Sequence, residues 1–361
     1  MKKTFTMLMA VSMVISLSAC QPSANNQSNT TKANIESKQE SKQESKATEP
    51  IEKSTESAIS DYPTGPITLY VSSAAGGSFD LGVRLLVPYV EEELGTTINI
   101  VNNDTAGGWA IWLECAKAKG DGYSIYTNNF PAYYTVYNPE YGYDVSLEDF
   151  QLIANFCSDP NIVVTSKDSG IETLEQLVEY TANNKDIVCG VTTFAGDDHL
   201  AYLKMVNAIP SMGENTTPLH VNSITEAIAN QLGGFSDFMF CNVGNIDAVK
   251  ENCNIICVFS EERCSLVPEI PTFNECAKEI GYDVDVIAGA NRGFWMPTGC
   301  DEAVVNRIIN AFESALNRDE LKQAYREQNF VWNGVTGDDY VALVNKEDKL
   351  FHDLLPLLGW E

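Results

Sequence analysis

Strand-like and helix-like signals take turns along the chain from Asp61 onward, and that alternation limits the fold more than any other feature. Runs of β-branched and aromatic residues read as strands at Ile67 to Val71, Ile98 to Val101, Tyr123 to Thr127, Asn161 to Thr165, Ile187 to Val191, Leu219 to Val221, Asp237 to Cys241, Ile255 to Phe259 and Val284 to Ala288. Between and after them, helical periodicity marks Asp80 to Leu94, Gly108 to Lys117, Leu174 to Ala182, Asp197 to Ala208, Ile224 to Leu232, Glu302 to Leu316 and Tyr340 to Leu358. Parallel strands need crossovers, and the helices that supply them cover the sheet. The expected fold class is therefore α/β, with two sheet systems suiting the length better than one.

The N-terminus is of a different kind. Lys2 and Lys3 precede an apolar run from Met7 through Leu17, which stops at Leu17-Ser18-Ala19-Cys20. Small residues before a cysteine suit a lipoprotein signal peptidase, and the run is too short for a membrane span. Residues 1–19 are expected to be a removed signal peptide, with Cys20 as the lipidation site and two or more acyl chains giving a durable anchor on the extracytoplasmic face of the cell membrane. Residues 20–61 form a polar tether without aromatics. Glu36, Glu40 and Glu44, like Lys38, Lys42 and Lys46, would stack like charges in a helix, so a solvated coil reaching roughly 35 Å is expected.

Charge narrows the partners. The formal net charge is −27, and −29 once Lys2 and Lys3 are gone, which argues against nucleic acid or an anionic lipid surface. Ten cysteines in a secreted chain suggest disulfides, yet Cys20 leaves an odd number, and Cys189, Cys241 and Cys257 lie within apolar strand runs. Free thiols and an oxygen-poor habitat are expected. Cys253, Cys257, Cys264 and Cys276 lack the paired spacing of a zinc site, so neither metal nor cofactor is implied.

Ligands of such folds sit at the carboxyl ends of strands, where the first loop here is Ser72-Ser73-Ala74-Ala75-Gly76-Gly77-Ser78, followed by Asp80. Paired glycines admit close approach of a ligand to the backbone, and the following helix start offers amide hydrogens. A tight turn with Asp80 as a helix cap explains the same residues.

That loop keeps specific company. Asp61-Tyr62-Pro63, Pro66-Ile67, Gly76-Gly77 with Asp80 and Arg84-Leu85 open an ordered series. Ala106-Gly107-Gly108, Gly120-Asp121-Gly122-Tyr123, Asp149-Phe150, Asn161 to Val164 and Thr173 to Leu177 continue it. His199-Leu200-Ala201, Gly233-Gly234, Asp237 to Phe240, Val267-Pro268, Ile270-Pro271-Thr272 and Gly293 to Pro297 complete it. From about Tyr62 to the C-terminus the chain resembles the solute receptors of tripartite tricarboxylate transporters, the Bug-type binding proteins.

The resemblance implies a type II periplasmic-binding-protein fold, two α/β lobes with a ligand cleft between them. Residues 62–165 plus 293–361 would form lobe 1 and residues 166–292 lobe 2, the chain crossing near Thr165 and returning near Arg292. It implies a monomeric receptor, not an enzyme, that captures a carboxylate or amino-acid-like solute and delivers it to the large and small membrane subunits of a permease. Contacts would come from Ser72 to Ser78 and Asp80, and from the segment containing Thr192, Thr193, Asp197 and Asp198. Asn128, Asn129 and Asn242 would complete the cleft.

This sequence departs from the family at two places. The usual Pro-Phe-Ala-Pro-Gly-Gly is Ser72 to Gly77 here, without the aromatic wall and the prolines, and Asp197 and Asp198 stand where hydroxyl residues are usual. Either the two aspartates select a solute bearing a cationic group, or one caps its helix and the other faces solvent. A catalytic reading of Asp197, Asp198, His199 and Cys189 lacks an oriented partner, and His220 and His352 belong to no constellation. A surface receptor feeding a sensor protein stands as the alternative to transport.

Overall fold

The computed structural model describes residues 61–221 and 223–360; Cys20, the signal segment and nearly all of the tether lie outside the described residues. In chain order the elements are β1 (Ile67–Val71), α1 (Ser78–Leu94), β2 (Ile98–Asn102), α2 (Trp109–Cys115), β3 (Ser124–Phe130), β4 (Phe150–Ser166), α3 (Leu174–Asn183), β5 (Ile187–Val191), α4 (Asp197–Ala208) and β6 (Thr216–His220). There follow α5 (Ile224–Leu232), β7 (Phe238–Asn242), α6 (Ile246–Val249), β8 (Cys253–Val258), α7 (Phe273–Glu279), β9 (Gly289–Pro297), α8 (Glu302–Leu316), α9 (Asp319–Glu327), β10 (Trp332–Thr336), α10 (Gly337–His352) and α11 (Leu355–Leu358). Short 3-10 turns join several of them.

Local chemistry sets many of the boundaries. Thr173 with Gln176, and Thr272 with Glu275, form capping boxes that start α3 and α7. Ser223 and Asp301 cap α5 and α8. At the other end of α1, Gly95 adopts φ +70° and returns its N–H to the Glu91 carbonyl.

The strands form one continuous sheet in the order β2-β1-β3-β9-β4-β7-β5-β6, with β10 and β8 also paired to β4. The expected pair of sheets is thus a single sheet shared through one strand. β4 is 17 residues long, enough to serve both halves. From Phe150 to Pro160 it pairs antiparallel with β9, and over part of that stretch with β10. From Asn161 onward its partners are β7 and β8. On one side of this exchange β1 lies parallel between β2 and β3, and on the other β5 lies parallel between β6 and β7. Register shifts near Leu152, Asn155 and Val163 bend the strand as it crosses.

Nearly every residue of β4 is buried, as a strand covered on both faces requires. On one face of the first half, Val83, Leu86, Val87 and Val90 of α1 meet Ile67, Leu69 and Val71, with Ile308 and Phe312 of α8 alongside. The opposite face carries Trp109, Trp112, Tyr133, Phe150 and Trp295 in one aromatic cluster, where Phe150 and Trp295 stack with centroids 3.9 Å apart. In the second half Ile162, Val164, Met239 and Val258 share a smaller core.

Two expectations are corrected. Val284 to Ala288 is not a strand: it forms no ladder, and β9 begins at Gly289. Val284 and Val286 are half-buried and Asp285 is exposed, while Ala288 donates its N–H to the Phe259 carbonyl and accepts one from Asn161. The C-terminal helix is broken between His352 and Leu355, because Pro356 supplies no N–H and suits the first turn of a new helix. α9 and β10 were not foreseen. All nine described cysteines are unpaired, eight of them buried.

Candidate functional site

The segments that follow β1, β3, β5 and β7 come to the place where β4 exchanges partners through named contacts: Phe79 lies under the Arg292 guanidinium, Asn129 stands across from Arg292, Asp198 accepts from Asn161, and Asn242 donates to the Asp159 carbonyl. Ser72, first in its loop, donates its N–H to Thr127 Oγ1 at 2.8 Å, tying the loop to β3. Asn102 Nδ2 donates to the Ser73 carbonyl, and the Ser73 hydroxyl is buried without a partner. Ala74 through Ser78 are exposed. Gly76 has φ +82° with open space around its Cα, so a left-handed turn rather than crowding requires glycine there.

Asp80 neither faces the cleft nor caps its helix; the N-cap of α1 is Gly77. The carboxylate is 1% exposed and accepts from the Gly76 N–H at 2.8 Å, Arg84 Nε at 2.7 Å and Asn102 Nδ2 at 2.8 Å. Burial pushes its pKa up, but these donors outweigh it and hold the carboxyl below the usual range. Asp80 is a clamp on the loop.

Asn128 also turns inward. Its Oδ1 accepts from the Tyr340 hydroxyl at 2.6 Å, which fixes the end of β3 to α10. Asn129 lies across from Arg292 of β9 and has a buried, unpartnered Oδ1. In the second half, the N-cap of α4 is Gly196, so neither Asp197 nor Asp198 caps it. Asp198 is 2% exposed and accepts from Asn161 Nδ2 at 2.8 Å and from the Thr192 hydroxyl at 2.9 Å. Burial, then the neighbouring Asp197, hold its carboxyl well above the usual range.

Asp197 is half-buried and borders a crevice of about 10 Å³ with Tyr134, Lys204 and Glu347. Thr193 is exposed. His199 is structural: its Nδ1 accepts the Ala195 N–H, and burial, then His220, lower its pKa to about 4. Asn242 donates its Nδ2 to the Asp159 carbonyl at 2.9 Å, joining the loop after β7 to β4.

Two residues that were not among the expected contacts stand at the centre. Asp159 of β4 is 7% exposed and accepts the Gly244 N–H at 3.0 Å. Arg292 of β9 has its NH2 nitrogen 3.8 Å from Asp159 Oδ2 and its guanidinium 5.9 Å over the Phe79 ring, beside the first loop. Its side chain is 16% exposed. Burial pushes the Asp159 carboxyl up to about 6, against the pull of Arg292. Arg292 is the one charged residue in the β9 run, a signal legible in the sequence; Asp159 gave none. A separate cavity of about 360 Å³, lined by Phe259, Arg263, Trp332 and Glu347 among others, touches Asp159 but none of the expected contact residues.

An α/β sheet in two halves, joined by crossing strands with four strand-end loops at the junction, is the build of a solute receptor of the periplasmic-binding type. Sequence comparison goes further: the tripartite tricarboxylate transporter family receptor matches residues 83–354, and the chain belongs to that family. Protein BugT of Bordetella pertussis is 24% identical over 283 residues, which span 74% of this chain and 81% of BugT. A solute-binding protein from Polaromonas, solved without ligand, superposes with a TM-score of 0.72 at 22% identity over 82% of this chain and 99% of its own. A Rhodopseudomonas palustris protein solved with adipate gives a TM-score of 0.61 at 19% identity over 83% and 99%. These are extracytoplasmic solute-binding receptors rather than enzymes. Among the described residues no helix is long and apolar enough to cross a membrane.

Proposed function

We propose that this chain is the lipid-anchored receptor of a tripartite tricarboxylate-type transporter, held through Cys20, and that it hands a small carboxylate-bearing solute to the permease's large and small membrane subunits. Lobe 1, residues 62–165 plus 293–361, and lobe 2, residues 166–292, close on the solute as a monomer. The observation that carries this reading is the convergence of four strand-end segments on the β4 and β9 junction, where Arg292 offers guanidinium donors over Phe79, which follows the amide-rich first loop. Solute-gained contacts present only when the lobes meet drive closure.

Ser72 to Ser78 supply backbone amides, and Asn129, Thr192, Thr193 and Asn242 supply polar edges. Asp80, Asn128 and Asp198 act from behind by fixing these segments, given their existing partners. Asp197 keeps open an amino-acid-like solute whose ammonium lies opposite its carboxylate. The adipate bound by the R. palustris neighbour supports the carboxylate class. Calorimetry of the full chain in detergent with succinate, adipate, citrate, aspartate and putrescine tests the reading. Saturable one-to-one binding of a carboxylate is expected, and binding of putrescine alone would overturn it.

A further inference from the structure

The Arg292 and Asp159 pair is unusual in its looseness. A guanidinium and a carboxylate that recognise each other fully lie with N–O distances near 2.8 Å, commonly through two parallel hydrogen bonds. Here the separation is 3.8 Å, and the Asp159 carboxylate instead accepts the Gly244 N–H at 3.0 Å. Arg292 therefore holds a counter-ion without spending its donors on it. Its guanidinium carbon lies 5.9 Å from the Phe79 ring centroid, at the start of α1, and the residue stands directly across the ladder from Asn129. The residue thus meets Phe79 just past the first half's loop, the crossing strands and, through Asp159, the loop after β7.

We propose that Arg292 receives the carboxylate of the solute, and that Asp159 is its resident counter-ion, releasing the guanidinium to the incoming carboxylate and taking a proton from solvent in exchange. The proposal deepens the receptor reading and rests on it. Two carboxylates beside one arginine repel each other, and the buried one, lacking solvent, is the one that neutralises. Burial already pushes the Asp159 carboxyl up to about 6. The groups around it are Arg292 on β9, Cys157 on its own strand, Asp197 and Asp198 on α4, Cys241 on β7 and Cys264 beyond β8. Arg292 alone among these favours the anion, so loss of its charge to a solute removes the main support for ionised Asp159.

The exchange also gives a route from binding to closure. Asp159 sits on the crossing strand, and its grip on Gly244 belongs to the second half while Arg292 belongs to the strand returning to the first. A solute on Arg292 changes the charge on which both contacts depend.

The test is calorimetry of the full chain in detergent with adipate and with aspartate, at pH 7.0 in two buffers of different ionisation enthalpy, for wild type, R292Q, R292K and D159N. Wild type should take up close to one proton per solute bound, and its affinity should rise as pH falls from 7.5 toward 6. R292Q should lose at least a hundredfold in affinity and R292K less, with thermal unfolding of both confirming the fold. D159N should bind at least as tightly as wild type at pH 7.0 with no proton uptake. Unchanged affinity in R292Q would overturn the role of Arg292, and undiminished proton uptake in D159N would overturn the exchange. Failure of wild type to bind either solute, or succinate or citrate, would instead refute the carboxylate-receptor reading on which the inference stands.

Discussion

Replacing Asp80 separates a clamp from a ligand contact. The wild-type carboxylate accepts from Gly76, Arg84 and Asn102, all within 2.8 Å, at a position 1% exposed. Hydrogen bonds to charged groups contribute about 1.5–3 kcal/mol each, but water compensates part of that once a donor is freed. Gly76 is exposed and the Arg84 side chain is 47% exposed, so both are rehydrated, whereas the Asn102 amide is left poorly placed. Asp80→Ala should therefore cost about 2–3 kcal/mol in urea unfolding. Asp80→Asn keeps the shape but sets an amide donor against that of Asn102, and should cost about 1–2 kcal/mol.

The sign with pH follows from the lowered pKa. The contribution of Asp80 is present above its unfolded value and is lost as pH falls through the folded one. The gap between wild type and Asp80→Ala should thus be full at pH 7 and close on acidification. Solute affinity should drop at least tenfold, because the first loop loses its fixed shape. Lost binding with an unchanged urea midpoint would refute the clamp and reinstate Asp80 as a direct contact.

Further outcomes are expected elsewhere. Gly76→Ala should cost about 1 kcal/mol of stability, from its positive φ alone, while weakening calorimetric affinity by more than that. Gly293→Ala places a Cβ against the Ala154 carbonyl and the Tyr340 hydroxyl where the crossing strands meet α10, and should lower stability by about 2–4 kcal/mol in urea. For Asp159 the folded pKa is raised, so its contribution is present at low pH and is lost as pH rises through about 6. Wild-type stability should fall by about 2 kcal/mol between pH 4 and 6 from this group, and Asp159→Asn should remove that slope. Cys20→Ala should release the protein from membranes or leave it unprocessed, as fractionation will show.

Much of the fold was legible because its elements obey simple periodicities. α1 shows Val83, Leu86, Val87, Val90 and Leu94 on one face, and α4 was placed at Asp197–Ala208 as observed. What escaped was long-range or weakly patterned. α9 buries only Leu321 and Tyr325 amid charged residues, and β10 contains an asparagine and a glycine and is half-buried throughout. The unity of β4 was hidden because strand signals at Asn161 to Thr165 mark only its second part, and Pro160 interrupts the run.

The site was legible as a set of loops and not as a set of side-chain roles. Family likeness brought attention to Ser72 to Asp80 and to Thr192 to Asp198, but which carboxylates point inward depends on partners distant in sequence. Asp80 meets Asn102, Asp198 meets Asn161, and Asn128 meets Tyr340. Arg292 and Asp159 are 133 positions apart, and no local pattern pairs them.

The most direct measurement is a crystal structure of the protein with a bound carboxylate solute. The predicted result is one solute between the Ser72–Ser78 loop and the Thr192–Asp197 segment, with a carboxylate on the Arg292 guanidinium. Solute density instead in the 360 Å³ cavity beside Arg263 and Trp332, with the strand-end loops unoccupied, would contradict it.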